Sequence, residues 1–308
     1  MRVAPEMHDP FLSAEAAPSQ RMAAAERLLG RRYGDAAWFL KRLQDEGWRP
    51  QDLWCRAAVT GPLVAAGLIS EHPGRTATLT IGPSHNQAQV RHAAQLLRDM
   101  VAELGRRGTV ALAQGMTAAE DPAAGAPFLE AGFADLAVLE CMERNNRRNP
   151  ARPTPSAGVE FVQAGDDASM RALLRATYEE TLDCPGLAEL RSDADILEGH
   201  QRGGNYEPAL WTVLRVEGRD AGAALLNRSP ANDSVELTYL GLAKWSRGKG
   251  LGSLLMEEAL WKAAQVPERV VALAVDDRNQ PAHRLYRRCG FRTVARRRAF
   301  AIRVQSST

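Results

Sequence analysis

The run Ala77-Thr78-Leu79-Thr80-Ile81 returns as Val235-Glu236-Leu237-Thr238-Tyr239, displaced by 158 residues. At the same displacement Leu96-Leu97 falls on Leu254-Leu255 and Gly132-Phe133 on Gly290-Phe291. Ala65-Ala66-Gly67-Leu68-Ile69 likewise falls on Ala223-Ala224-Leu225-Leu226-Asn227. One offset that holds at four places points to one folding unit written twice, and 308 residues suffice for two such domains. Between the copies, 143–155 is polar, carries Pro150, Pro153 and Pro155 and shows no apolar period, which is linker chemistry. Its arginines lack the interleaved aromatics on which bases stack, so a solvated linker is the reading. The expected organisation is a mobile segment at 1–19, a first copy at 20–143, a linker at 144–157 and a second copy at 158–308.

The 39 basic and 37 acidic residues leave a net charge of only +2, too little to recruit nucleic acid or an anionic membrane through a global field. No stretch reaches the roughly 18–20 apolar residues of a membrane span, and 1–20 lacks the apolar core of a secretory signal. Cys55, Cys141, Cys184 and Cys289 are far apart and form no Cys-x-x-Cys pair, which argues against a disulfide framework and a zinc site. A soluble, cytoplasmic, metal-free protein is expected.

Each copy reads as α/β. In the second, apolar runs at 210–216 and 221–226 suit paired strands across Glu217-Gly218-Arg219-Asp220, and 235–242 suits a third. Leu251, Leu254, Leu255, Ala259 and Ala263 recur at helical spacing, with Pro267 just beyond. A strand at 269–275, a short helix at 281–289 stopped by Gly290, and an alternating strand at 293–304 follow. Helices are expected earlier, at 168–178 and 193–201.

Chemistry concentrates in the loop Arg247-Gly248-Lys249-Gly250-Leu251-Gly252-Ser253. Its glycines permit tight turning and close backbone approach, and the helix start presents unpaired N–H groups and a positive dipole end. Arg247, Lys249 and the Ser253 hydroxyl add donors, so a diphosphate fits. Neither Walker A nor dinucleotide-turn spacing is present. The Arg-x-x-Gly-x-Gly spacing resembles the pyrophosphate loop of the GNAT acyltransferase superfamily, which binds acetyl-CoA. Asn279, Ala282, Leu285-Tyr286 and Gly290-Phe291 follow in the order of that family's next motif. Glu236-Leu237-Thr238-Tyr239-Leu240-Gly241-Leu242, set within a duplicated module, resembles the mycothiol synthase family of tandem GNAT enzymes, whose C-terminal half is catalytic.

The resemblance implies two tandem GNAT-like modules, each a mixed, mostly antiparallel sheet flanked by helices, with acetyl-CoA as co-substrate and no metal. The backbone at Leu240 and Leu242 would pair with the pantetheine arm, and Arg247, Gly248, Lys249, Gly250, Leu251, Gly252 and Ser253 would hold the pyrophosphate. Asn279 would contact the pantetheine or phosphate side, and Tyr286 would stand near the thioester sulfur as the acid. Lys244 departs from the family, which commonly has Pro there, and this alters loop rigidity. Glu236 is the candidate base, with strand alternation putting Glu236 and Thr238 on one face and Leu237 and Tyr239 on the other. Tyr239 is a second cleft candidate, and Asp276 and Asp277 are fallback bases.

In the first copy Glu236 becomes Thr78, Tyr286 becomes Phe128, Asn279 becomes Asp121, and the loop becomes Gln89-Val90-Arg91-His92-Ala93-Ala94. That copy is expected to keep the fold without the chemistry, stabilising the active half or shaping its cleft. The acceptor is expected to be a small-molecule or peptide amine, bound near the acidic stretch 178–195, with no nucleic-acid or membrane partner. The rival expectation is an acyl-CoA-binding regulatory module with little turnover.

Overall fold

The computed structural model describes residues 9–30, 35–45, 47–58, 61–146 and 150–305. They divide into two compact units, one comprising Met1–Glu71, Thr76–Asp135 and Ala299–Thr308, the other His72–Arg75 and Leu136–Arg298.

In the first unit the order is β1 (Phe11–Glu15), α1 (Arg21–Leu29), α2 (Ala36–Asp45), β2 (Leu53–Ala58), β3 (Leu63–His72), β4 (Thr76–Ile81), α3 (Gln87–Arg107), β5 (Leu112–Ala118) and α4 (Ala126–Glu130). Strands lie in the order β1-β2-β3-β4-β5, with β1–β2 and β2–β3 antiparallel and β4–β5 parallel. Of the expected mobile segment at 1–19, residues 1–8 lie outside the described residues and Phe11–Glu15 is a strand. The strand is anchored because Phe11 packs 4.4 Å from the His92 ring and lies under Arg56, whose guanidinium pairs with Asp9 and donates to Ser13 Oγ at 3.0 Å.

The second unit holds β6 (Ala134–Asn145), β7 (Val159–Gln163), α5 (Asp167–Tyr178), α6 (Pro185–Ala188), α7 (Asp193–Arg202), β8 (Asn205–Tyr206), β9 (Thr212–Val216), β10 (Arg219–Ser229), β11 (Ser234–Leu242), α8 (Leu251–Ala263), β12 (Val270–Asp276), α9 (Gln280–Arg288) and β13 (Arg292–Arg303). Its strand order is β13-β6-β12-β11-β10-β9-β7, with β8 beside β10. Only β11–β12 is parallel among its pairs with a defined register. The sequence reading anticipated these elements from α5 onward to within a few residues, apart from α6 and β8. Within the expected linker, residues 147–149 lie outside the described residues, Glu143 to Asn145 still belong to β6, and the Asn146 side chain is buried, donating to the Ala263 and Glu268 carbonyls at 2.7 and 2.9 Å.

The repeat is visible in register. Thr76 faces Leu112 in the β4–β5 ladder and Ser234 faces Val270 in β11–β12, so both partners move by the same 158 residues. β6 and β13 are displaced identically, and each unit takes in a strand from the other's stretch of sequence: Leu136–Asn145 counts with the second unit and Ala299–Arg303 with the first. The first unit's core accordingly includes Phe300 and Val304 beside Leu79, Leu97 and Phe128, whereas Met142 joins Val235, Leu255 and Val271 in the second.

Candidate active site

β11 and β12 form a ladder only from Ser234–Val270 to Glu236–Ala272. Beyond that point both strands line a cleft of about 540 Å³, β11 through Leu237 to Leu242 and β12 through Ala274 and Val275. A β-bulge sets what each face presents. Leu225 pairs with Tyr239 and Leu226 with Leu237, leaving Thr238 as the extra residue, its Oγ1 donating to the Leu225 carbonyl at 3.2 Å. The inserted residue reverses the side-chain parity. Leu237, Leu240 and Leu242 therefore pack with the α8 core, while Tyr239 packs with the α5–α7 core. The expectation that Leu237 and Tyr239 share a face is corrected accordingly.

The loop before α8 meets the requirements of an anion cradle. Gly248 and Gly250 have φ of 75° and 79°, the left-handed region that glycine enters without strain. A Cβ at either would meet nothing within 4 Å, so both face open space. Gly250 starts α8 with no side-chain cap, leaving its first N–H groups and the positive end of a 13-residue dipole available. Lys244 begins a tight 3₁₀ turn locked by the buried Ser246, whose hydroxyl donates to the Ala221 or Ala243 carbonyl at 2.9 and 2.8 Å. That turn supplies the rigidity that Pro gives elsewhere.

Of the residues singled out by sequence, Leu240, Leu242, Arg247, Gly248, Gly250, Gly252, Ser253, Asn279 and Tyr286 line the cleft together, as does Tyr239. Leu251 packs against the α8 core, and the exposed Lys249 ammonium stands 5.8 Å from the Trp245 ring. Glu236 is exposed on β11 and is not among the lining residues. The Asp276 carboxylate is buried, takes three bonds from Arg278 at 2.7–2.9 Å and one from the Cys184 N–H at 3.2 Å. Burial works to raise its pKa, but those donors outweigh it and hold the group below its ordinary value. Asp277 pairs with Arg296 at 3.0 Å. Both fallback bases are thus committed to structural pairs.

Arg247 lines the cleft and also ties two elements together. Its guanidinium donates to the carbonyls of Leu242 (3.0 Å), Thr177 (2.9 Å), Glu179 (2.7 Å) and Glu180 (3.2 Å), stapling the end of α5 to the end of β11. Four of its five N–H donors are taken up in this way, and it still lines the cleft. A cation that the motif does not single out, Arg288, lines the cleft as well and lies 3.4 Å from Ser253 Oγ. It follows Tyr286 by two residues on α9, a spacing that carries no signal without the helix orientation.

Tyr286 is buried near Phe291, with ring centroids 5.8 Å apart. Burial, followed by the charge of Asp183, pushes its pKa well above the ordinary phenol value, so the hydroxyl keeps its proton at neutral pH. Tyr239 shares a hydrogen bond of 2.7 Å with Thr177 Oγ1, and its pKa is pushed up to about 12, chiefly by burial. Asn279 caps α9 by accepting from the Ala282 N–H at 3.3 Å.

In the first unit, α3 begins at Gln87 under an Asn86 cap, so the positions matching the glycine loop are ordinary helix. Phe128, in place of Tyr286, is fully buried between Phe133 and Phe300, at 5.3 and 5.1 Å. It occupies the space that a side chain on Gly115 would need. Asp121 retains only the capping role, accepting from the Ala124 N–H at 3.3 Å.

A parting parallel strand pair, a bulged strand along the gap and an uncapped helix behind glycines together make up the site. The family model described as the acetyltransferase (GNAT) family matches residues 170–291, and the C-terminal half therefore carries a GNAT domain. The fold resembles a GCN5-related N-acetyltransferase from Sphaerobacter thermophilus at a TM-score of 0.59 and 18% identity, over 97% of this chain and 98% of that one. It also resembles a tandem GNAT protein from the clavulanic acid biosynthesis pathway, at 0.50 and 16%, over 97% and 99%. A GCN5-related glucosamine N-acetyltransferase region of a fungal multi-domain protein matches at 0.56 and 16%, over 95% of this chain and 38% of that one. No curated protein matches the sequence. The architecture is two tandem GNAT-like modules built on mixed, mostly antiparallel sheets, a fold that supports acyl transfer. Among the described residues no group of three or more His, Cys, Asp or Glu could hold a metal, and no helix is long and apolar enough to cross a membrane.

Proposed function

We propose that the second unit transfers an acetyl group from acetyl-CoA to the primary amine of a small molecule or peptide by direct attack within this cleft. The observation that carries the reading is the joining, in one cavity, of the uncapped α8 N-terminus, the unladdered edge of β11 and the buried Tyr286 hydroxyl. The open glycines and free N–H groups suit a diphosphate, and Arg288 with Ser253 supplies donors beside them. The backbone of Leu240 and Leu242 suits an amide-bearing arm lying as an added strand.

Acetyl-CoA supplies the activated acyl group. The amine nitrogen attacks the thioester carbonyl, the C–N bond forms and the C–S bond breaks. Tyr286 gives its hydroxyl proton to the departing sulfur and regains one from the new amide nitrogen. The first unit has neither the open loop nor the hydroxyl, and its role in this reading is support. All four cysteines are free, which suits a reducing cytoplasm.

The test is thiol release from acetyl-CoA with tyramine, spermidine, glucosamine and an unblocked peptide as acceptors. Amine-dependent release is expected, with Tyr286→Phe lowering kcat about 10²–10³-fold while acetyl-CoA affinity is kept. Tight binding without release on any of these amines would favour a regulatory acyl-CoA module. Equal rates for wild type and Tyr286→Phe would remove the acid assignment.

A further inference from the structure

The acyl-transfer reading needs a group to take the ammonium proton of the acceptor, and Glu236, Asp276 and Asp277 are all poorly disposed to do so. The segment between α5 and α6 provides another carboxyl. Asp183 lines the cleft together with Tyr239 and Tyr286, the proposed acid. Its Oδ1 accepts from the Asp276 N–H at 2.8 Å, and the Asp276 carboxylate in turn accepts from the Cys184 N–H. This reciprocal pair fixes residues 183–184 to the end of β12. Among the described residues Asp183 Oδ2 has no hydrogen-bond partner.

The surrounding backbone is unusual. Glu180 and Cys184 both have positive φ, 50° and 45°, in a region that non-glycine side chains rarely adopt. Two such residues within five positions cost energy, and they persist only where the surroundings over-determine them. Here the surroundings do so. Arg247 holds the Glu179 and Glu180 carbonyls, Lys244 pairs with Glu180, and Thr181 Oγ1 accepts the Asp183 N–H at 3.1 Å. The ties all bear on the segment that carries Asp183 to the cleft wall.

We propose that Asp183 is the catalytic base of the second unit, receiving the proton of a cationic primary amine on its free Oδ2. The assignment rests on the acyl-transfer reading. The ammonium gives one proton to Asp183, which passes it to solvent. The freed lone pair forms the C–N bond as the C–S bond breaks, and Tyr286 protonates the sulfur. One amine cation and one thioester thus yield one amide, one thiol and one proton. Asp183 is exposed on the cleft side, and the protein packed around its other side is the largest influence on its carboxyl and pushes its pKa up. The Asp276 N–H bond opposes this, the Asp276 charge adds to it and His283 opposes it, with the net shift upward. Tyr178 on α5, Tyr239 on β11, Tyr286 on α9 and Cys184 also feel its charge, and all are neutral at pH 7 because burial raises each of them. Arg278 is committed to Asp276.

The decisive experiment is the pH dependence of kcat/KM, on whichever of the four amines gives thiol release, for wild type, Asp183→Asn and Glu236→Gln. Acetyl-CoA affinity and melting temperature are measured alongside to show that each variant is folded. Wild type should lose activity as pH falls through the Asp183 pKa, above the ordinary carboxylate range. Asp183→Asn should fall about 10²–10³-fold at pH 7, lose that acidic limb, and recover toward wild type at high pH, where the amine arrives already neutral. Asp183→Glu should restore part of the rate. An unchanged rate and limb in Asp183→Asn, or transfer of the loss to Glu236→Gln, overturns the assignment while leaving acyl transfer intact. Absence of amine-dependent release in wild type overturns the acyl-transfer reading and the base with it.

Discussion

Arg247 separates two readings of the same motif. Sequence spacing makes it a phosphate ligand, whereas the structure makes it a staple with four carbonyl partners. Replacing it by Ala should therefore destabilise the second unit more than it weakens acetyl-CoA binding. The bonds to Glu179 and Glu180 lie at the exposed surface, where water can replace the lost donor. Those to Leu242 and Thr177 are partly buried. A net value near 1–1.5 kcal/mol for each of those two gives a loss of about 2–3 kcal/mol. For a domain of this size that lowers the melting temperature by about 5–10 °C. Arg247→Lys should fall between, since one ammonium cannot span the separated carbonyls that the planar fork reaches. Differential scanning fluorimetry gives the melting temperatures, and isothermal titration below the transition gives the acetyl-CoA affinity, expected to stay within about threefold. An unchanged melting temperature with affinity reduced about 10–100-fold, the loss of a charge-assisted phosphate contact, would refute the staple and restore the ligand.

Two further outcomes test the units separately. Phe128→Ala should cost the first unit about 3–5 kcal/mol, because the ring fills the space over Gly115 and stacks on Phe300, seen as an earlier melting transition with acetyl-CoA affinity unchanged; a mild loss would mean that this core collapses around the void. His200 has its Nε2 sealed from solvent without a partner, and burial, then the charge of Arg191, lowers its pKa to about 4. The unfolded chain then binds a proton that the folded one refuses, so this contribution is fully present above about pH 6.5 and is lost as pH falls toward 4, on the order of 2–3 kcal/mol. Chemical denaturation across that range should show a slope that His200→Phe reduces, and an identical slope would remove the assignment.

What could be read from the chain alone follows from the range of the physics involved. Helix and strand periods, caps and the 158-residue repeat are local or self-referential, and they located α5, α7, β11, α8, β12 and α9 to within a few residues. The glycine loop was legible for the same reason, because its backbone demands are met by residues adjacent in sequence. The errors arise where a distant partner decides. Parity along β11 fails at Thr238 because the bulge is set by the pairing with β10. The arginine of the motif also acts as a tie, which only its bonds to the carbonyls at the end of α5 reveal. Asp183 looks like one acidic residue among several until β12, about ninety positions later, holds it at the cleft wall.

The two copies keep one fold and differ at a few positions of the site. The β4–β5 and β11–β12 ladders have the same register, and Asp121 and Asn279 cap equivalent turns. The differences fall on two features. Extending α3 to Gln87 under its Asn86 cap satisfies N–H groups that α8 leaves open behind Gly250. Exchanging a phenol for a phenyl lets Phe128 bury fully against Phe300 instead of presenting a hydroxyl to a cleft. Both differences put ordinary helix and core packing in the first unit where the second has an open helix start and a hydroxyl at a cleft, the contrast on which the proposed supporting role rests. The proposed diphosphate site requires an uncapped helix start and clear glycines, and the second unit has both.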